Sequence, residues 1–143
     1  MNDYESLRHT KWECKYHVVF IPKCRRQMIY GQIRKELGAV FRELANRREC
    51  RIEEGHLQAD HVHMLISIPP KEAVSQVIGY IKGKSAIYIA RTYRGKTRNF
   101  TGENFWARGY FVSTVGHDEA TVRKYIRDQQ KEDQRIEQRK LFE

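Results

Sequence analysis

The chain has 143 residues, with 27 Lys and Arg against 18 Asp and Glu, a formal charge of +9. At roughly 150 residues per domain this length predicts one domain, long enough to bury a core without staples. A composition that is 40% hydrophobic and 31% charged, with no run of about 18 apolar residues, excludes a disordered chain and a membrane-spanning one.

The opening residues, Met1-Asn2-Asp3-Tyr4-Glu5, lack the basic and apolar regions of a signal peptide. Cys14, Cys24 and Cys50 are odd in number and show no C-x-x-C spacing. Both features predict reduced thiols in a cytoplasmic protein. The basic balance attracts polyanions, because each neutralised phosphate releases counterions, so nucleic acid heads the partner classes and a membrane is not among them.

In chain order, Tyr16 to Ile21 is rich in β-branched and aromatic residues and stops at Pro22, so it predicts a strand. Ile29, Ile33, Leu37, Val40, Phe41 and Leu44 recur at helical spacing and predict an amphipathic helix to about Arg48. Cys50 to Leu57 is a weaker strand, Gln58-Ala59-Asp60 a turn, and His61 to Ile68 a stronger strand. Pro69-Pro70 then suits the first turn of a second helix, carried on by Val74, Val77, Ile78, Ile81, Tyr88 and Ile89, with a break expected near Gly83. Arg91 to Asn104 reads as an exposed basic loop and Tyr110 to Val115 as a strand. A last helix runs from about Asp118, a good N-cap, to Lys140.

The resulting order, β-α-β-β-α-β plus one helix, is an α+β, ferredoxin-like (RRM-like) pattern: an antiparallel sheet with two helices on one face. Residues 1–143 are expected to form a single domain, with a core at about 10–116 and the added C-terminal helix at about 118–141. Beyond Ile126 that helix is mostly alternating charge, expected to be a solvated face held by charge pairs. Its first two turns differ, because Val122, Tyr125, Ile126 and Gln129 share a face that must pack on something.

His61-Val62-His63 is the strongest chemical signal. Residues two apart on a strand share a face, so Val62, Met64, Ile66 and Ile68 predict the helix-covered core, and His61 and His63 the open side. Two imidazoles so spaced can grip one cation. Asp60 would stand on the opposite face of a regular strand and is not taken as a ligand. Tyr125 and Gln129, four residues apart, lie about one helical turn apart on one face. A tyrosine hydroxyl is a poor nucleophile at its free pKa near 10. A Lewis acid on His61, His63 and Gln129 would neutralise a phosphodiester for attack by Tyr125.

Asp60-His61-Val62-His63, followed by an apolar strand and Pro69-Pro70, resembles the HUH motif (His, hydrophobic, His). Three further blocks follow in order: Ile81-Lys82-Gly83-Lys84-Ser85, the stretch from Phe105-Trp106-Ala107 to Val112, and Tyr125-Ile126-Arg127-Asp128-Gln129. Together, over roughly residues 10–130, they are similar to the single-tyrosine HUH transposases (TnpA type) of the smallest bacterial insertion sequences. The resemblance implies a homodimer acting on single-stranded DNA, with hairpin-containing element ends as the expected partner and C-terminal helices exchanged between subunits. It implies Tyr125 as the nucleophile, leaving a 5′-phosphotyrosine link and a free 3′-hydroxyl. It also implies His61, His63 and Gln129 as ligands of Mg²⁺ or Mn²⁺, and imidazole chemistry ranks Mn²⁺ as the tighter ion. Lys82, Lys84, Arg91, Arg94, Lys96 and Arg98 are candidate phosphate contacts, with Tyr88 or Tyr93 for base stacking.

The main alternative is a non-catalytic RRM-like nucleic-acid binder, which calls for aromatics on the central strands where this chain has histidines. A metal-dependent hydrolase calls for more carboxylates near the cation, and a structural zinc protein for a second ligand pair.

Overall fold

The computed structural model of the chain describes residues 5–7, 10–23, 31–94, 105–114 and 119–141. Its first two strands, β1 (Glu5–Leu7) and β2 (Thr10–Trp12), pair with each other as an antiparallel hairpin. The strand patterns of the sequence do not predict this hairpin, since three residues are too few to display an alternation.

The remaining elements follow the expected order. They are β3 (Lys15–Phe20), α1 (Gly31–Arg47), β4 (Arg51–Leu57), β5 (Val62–Ser67), α2 (Val74–Ile89), β6 (Phe111–Ser113) and α3 (Glu119–Leu141). The sheet runs β4-β5-β3-β6 with every neighbouring pair antiparallel. This is the ferredoxin-like arrangement that the order of elements predicts.

Alternation along the two central strands decides which face is the core. Val18 and Phe20 of β3, and Val62, Met64 and Ile66 of β5, pack with Leu37, Phe41 and Leu44 of α1 and with Val77, Ile78 and Ile81 of α2. Phe20 stands edge-on to Trp106 with ring centroids 4.8 Å apart, and to Phe41 at 6.0 Å. Truncating such a side chain removes its transfer free energy and leaves a cavity. Phe20→Ala is therefore expected to lower the unfolding free energy by about 3–5 kcal/mol in urea titrations, with the denaturant slope unchanged.

The element ends differ from expectation for local reasons. Pro69-Pro70 does not open α2; the Glu72 N–H closes a turn on the Pro69 carbonyl at 2.9 Å, and the helix starts at Val74 after an extended Ala73. No break occurs at Gly83, because Ile81, Ser85, Ala86 and Ile89 around it are buried and that packing outweighs a propensity cost of about 1 kcal/mol. The helix passes directly into a π-helical turn, Ala90–Arg94, where a loop was expected. β6 is shorter than the predicted Tyr110–Val115. Cys24, Lys96, Arg98, Val115 and Asp118 lie outside the described residues.

The start of α3 covers part of the second face of the sheet. Ile126 is buried with Val19 of β3, with Ile21 just after that strand and with Ala107, and Tyr125 and Phe111 pack against this small cluster. Further along, Lys124 pairs with Asp128 at 3.6 Å and Arg135 with Glu132, on largely exposed side chains. The solvated, charge-paired face is thus present, with one exception: Asp133 is buried.

Candidate active site

The second sheet face carries the functional side chains. In register across the four strands, His56 of β4, His63 of β5, Val19 of β3 and Phe111 of β6 form one lateral row. Directly opposed residues of an antiparallel pair project to the same side, so His63 faces away from the core that holds Val62 and Met64. His17 joins this face from β3, its Nδ1 3.3 Å from His63 Nε2. The His17 and His56 rings lie 5.5 and 6.2 Å from that of His63. The sequence reading passes over both. His17 shares its parity with Val19 and was open to discovery. His56 was not, because a register shift between Ile52 and Glu54 resets the parity of β4.

His61 lies in the turn ahead of β5, where the Gln58 N–H donates to its carbonyl at 2.9 Å. The regular-strand expectation for Asp60 therefore does not hold. Its Oδ1 is 2.8 Å from His61 Nδ1. An ionised carboxylate only accepts, so Nδ1 carries a ring proton, and in the neutral ring the lone pair is then on Nε2. The ring is 20% exposed and its partner 52%, so the lone pair is held in place yet reachable. This is the tautomer a metal-binding histidine needs.

Tyr125 reaches the same face from the first turns of α3. Its ring centroid is 5.8 Å from that of Phe111, and its hydroxyl is buried with no hydrogen-bond partner. Phe111 stands two strands from His63, roughly 10 Å at the usual strand spacing. The fold thus sets tyrosine and histidines on one face with the β3 strand between them.

Burial pushes the Tyr125 phenol up to about 12 from its ordinary 10.0, because the apolar lining cannot solvate a phenolate. The folded value lies above the unfolded one. Its contribution to stability is therefore whole below about pH 10 and is lost as pH rises towards about 12. In ultraviolet titration of the free protein, the difference between wild type and Tyr125→Phe is expected to show one phenol that ionises well after the ordinary tyrosines. A normal phenol in that difference spectrum would contradict the buried position.

Gln129, one turn on, donates from its side-chain amide nitrogen to the Arg108 carbonyl. That bond orients the amide, with Oε1 as its remaining lone-pair end. Gly109 has φ +80, and a Cβ added there would stand 3.8 Å from the same amide nitrogen. A side chain at position 109 would strain the turn that presents Arg108.

The candidate phosphate contacts differ in surroundings. The Lys82 ammonium donates to the carbonyls of Ala107 at 2.9 Å and Gly109 at 2.7 Å. Lys84 is exposed on α2, its ammonium 6.0 Å from the Tyr80 ring. Arg94 ends the π-helical turn. Among the described residues no three His, Cys, Asp or Glu side chains gather as a metal-binding group. The candidate ligands offer two imidazoles and an amide oxygen, with His61 held on Asp60 and Gln129 on the Arg108 carbonyl.

The sequence profile described as "Transposase IS200 like" matches residues 10–129, a span that contains all these side chains. The chain belongs to the IS200-like transposase family. The chain of this IS200-like transposase is 45% identical over 138 residues to the transposase for insertion sequence element IS200 of Salmonella typhimurium, covering 96% of this chain and 91% of that protein. Its fold is similar to a crystal structure of a Deinococcus radiodurans transposase candidate, with a TM-score of 0.77 at 24% identity over 87% of this chain and 97% of that one. It is also similar to a REP-associated tyrosine transposase bound to a REP hairpin, with a TM-score of 0.54 at 13% identity over 85% and 68% of the two chains. The likeness to both structures is one of fold. As a member of its family the chain is a DNA transposase, a protein that cuts and rejoins DNA. Among the described residues, no helix is long and apolar enough to cross a membrane.

Proposed function

We propose that this transposase works on single-stranded DNA as an HUH-type endonuclease, with Tyr125 as nucleophile and His61, His63 and Gln129 as ligands of a divalent cation, Mg²⁺ or Mn²⁺. The observation that carries the reading is the Asp60–His61 hydrogen bond in the turn that leads into His63, whose strand borders the β3 surface that receives the tyrosine helix. A surface histidine with no chemical task has no need of a fixed tautomer, and a ligand does. The cation, when bound, supplies charge neutralisation of the phosphate and its transition state.

The chain's own part is to orient and exchange bonds. The Tyr125 oxygen forms a bond to phosphorus as the bond from phosphorus to the 3′ oxygen breaks. The phenolic proton leaves and the departing 3′ oxygen takes one up, giving a 5′-phosphotyrosine and a free 3′-hydroxyl. One phosphodiester replaces another, so a 3′-hydroxyl can reverse the step at a new junction without nucleotide hydrolysis. Before attack, the Tyr125 hydroxyl has to leave its apolar contacts or give up its proton there, and its raised pKa makes the first route the easier.

Hairpin-containing element ends are the proposed substrate, in keeping with the fold neighbour bound to a REP hairpin. Lys84, Arg94 and Arg98 are proposed to track the phosphates. A homodimer with exchanged α3 helices is the proposed assembly: within one chain Tyr125 packs over Phe111, and exchange would lay Tyr125 and Gln129 on the histidines of a second subunit. The cytoplasm is the proposed compartment, consistent with the free thiols of Cys14 and Cys50.

The test is a denaturing gel of wild-type protein with labelled single strands from the flanks of its gene, with Mn²⁺ or with a chelator. A label that migrates with the protein only when the cation is present is the expected result. A cut strand with no adduct would replace the reading with a hydrolase, and tight binding with neither would leave a binding domain.

A further inference from the structure

The segment from Phe105 to Gly109 is fastened from several sides. Its backbone bridges the end of β3, with Lys23 N–H on the Phe105 carbonyl at 2.8 Å and Ala107 N–H on the Ile21 carbonyl at 2.9 Å. The Trp106 indole donates to Ser85 Oγ at 3.0 Å, and Ser85 in turn donates to the Lys82 carbonyl at 3.1 Å. The three carbonyls that follow divide between two helices. Those of Ala107 and Gly109 accept from Lys82 on α2, and the one between them, on Arg108, accepts from Gln129 on α3. With the outer two carbonyls held on α2 and the middle one on α3, and with Gly109 at φ +80, the turn is pinned between the two helices.

We propose that Lys82 is a positioning residue for the transposition site: by clamping the Ala107 and Gly109 carbonyls from the core-side helix, it holds the Arg108 carbonyl towards the Gln129 amide and so seats an α3 helix, its own or an exchanged one, with its Tyr125 on the sheet. This rests on the role given above to Gln129 and Tyr125. No exposed loop lysine could do it. Lys82 lies on a helix packed against the opposite side of the segment, its ammonium 5.8 Å from the Phe20 ring as well as on the two carbonyls. Burial pulls its pKa down to about 8, and at neutral pH the group still holds its proton and both acceptors. A charge-assisted pair of bonds to carbonyls is stronger than a neutral one, which explains a lysine where the sequence, read alone, suggests a phosphate contact.

The experiment compares Lys82→Met and Lys82→Arg with wild type. The primary readout is the ¹⁵N side-chain amide signal of Gln129, assigned by its loss in Gln129→Ala, in protein free of DNA and metal. Lys82→Met is expected to move that signal to the position of a solvent-exposed glutamine with the fold intact, and Lys82→Arg to hold it near the wild-type position. In the adduct assay Lys82→Met is expected to lose about tenfold or more in single-turnover rate, the scale of a lost supporting hydrogen bond, with half-saturating DNA concentration unchanged. Should Lys82→Met fail to fold, Lys82→Gln keeps the stem and one amide donor, and its Gln129 signal is expected at an intermediate position.

A Gln129 signal unmoved in a folded Lys82→Met or Lys82→Gln protein would overturn the proposal. A fall of about one in the slope of log affinity against log salt would assign Lys82 to a phosphate instead. The amide readout needs neither cleavage nor cation. Absence of any wild-type adduct would thus sink the function proposed above while the clamp itself is still decided.

Discussion

Replacing Tyr125 by Phe is expected to abolish the covalent protein–DNA adduct and to slow strand cleavage by at least about a thousandfold, the scale on which loss of a nucleophile is felt. The change removes one oxygen and leaves the ring against Phe111, Ile126 and the Val19–Ile21 surface. Nothing in the fold loses a partner, because the hydroxyl is buried without a hydrogen bond. Burying an unpaired polar group costs free energy, so the variant is expected to unfold at an equal or higher denaturant midpoint. Binding of single strands is expected to persist, since its dominant contributor is charge. Stability gained while cleavage is lost is the mark of a group kept for chemistry. An adduct that survives in Tyr125→Phe would move the nucleophile to another residue, and cleavage that survives without an adduct would move it to water.

Much of the fold was legible because it depends on patterns that survive any rearrangement of loops. The alternation of Val62, Met64 and Ile66 against His63 fixed both the core face and the open face, and burial follows it. The helical periods of α1 and α2 were equally plain. What escaped reading was set by contacts between distant segments. The β1–β2 hairpin is too short to carry a pattern. The register shift in β4 turns His56 onto the histidine face, and no property of Ile52, Glu53 or Glu54 announces it.

The site divides along the same line. His61, His63, Tyr125 and Gln129 are the candidates that spacing singles out, because spacing on a strand or helix is a statement about direction, although His61 stands just ahead of the strand. Asp60 was set aside by a rule for regular strands that its turn does not obey. Lys82 was read by its charge alone. Its acceptors are main-chain carbonyls more than twenty residues away, and every residue carries one, so no side-chain pattern could single them out. The placement of α3 on its own sheet was also beyond the sequence, since an apolar first turn fits one sheet as well as another.

Removing either imidazole is expected to lower cleavage by at least about a hundredfold in His61→Ala and His63→Ala, with Mn²⁺ affinity falling in parallel by electron paramagnetic resonance titration. A site of two nitrogens and one amide oxygen has few donors, so each loss is a large fraction of the whole. Asp60→Ala separates ligation from support. It leaves both rings in place and removes only the acceptor 2.8 Å from His61 Nδ1, freeing the ring to turn and the proton to move to Nε2. The expected loss is about tenfold to a hundredfold, and it should be partly recovered by raising Mn²⁺, which draws the correct tautomer from the mixture by mass action. Raising Mn²⁺ should do far less for His61→Ala, where the donor itself is gone. That ordering, a large loss in the histidine variants and a smaller, metal-recoverable one in Asp60→Ala, follows from a carboxylate acting through the ring. Equal losses with no recovery would mean that Asp60 holds the turn before β5 and not the imidazole, and unchanged turnover in either histidine variant would remove that ring from the metal site.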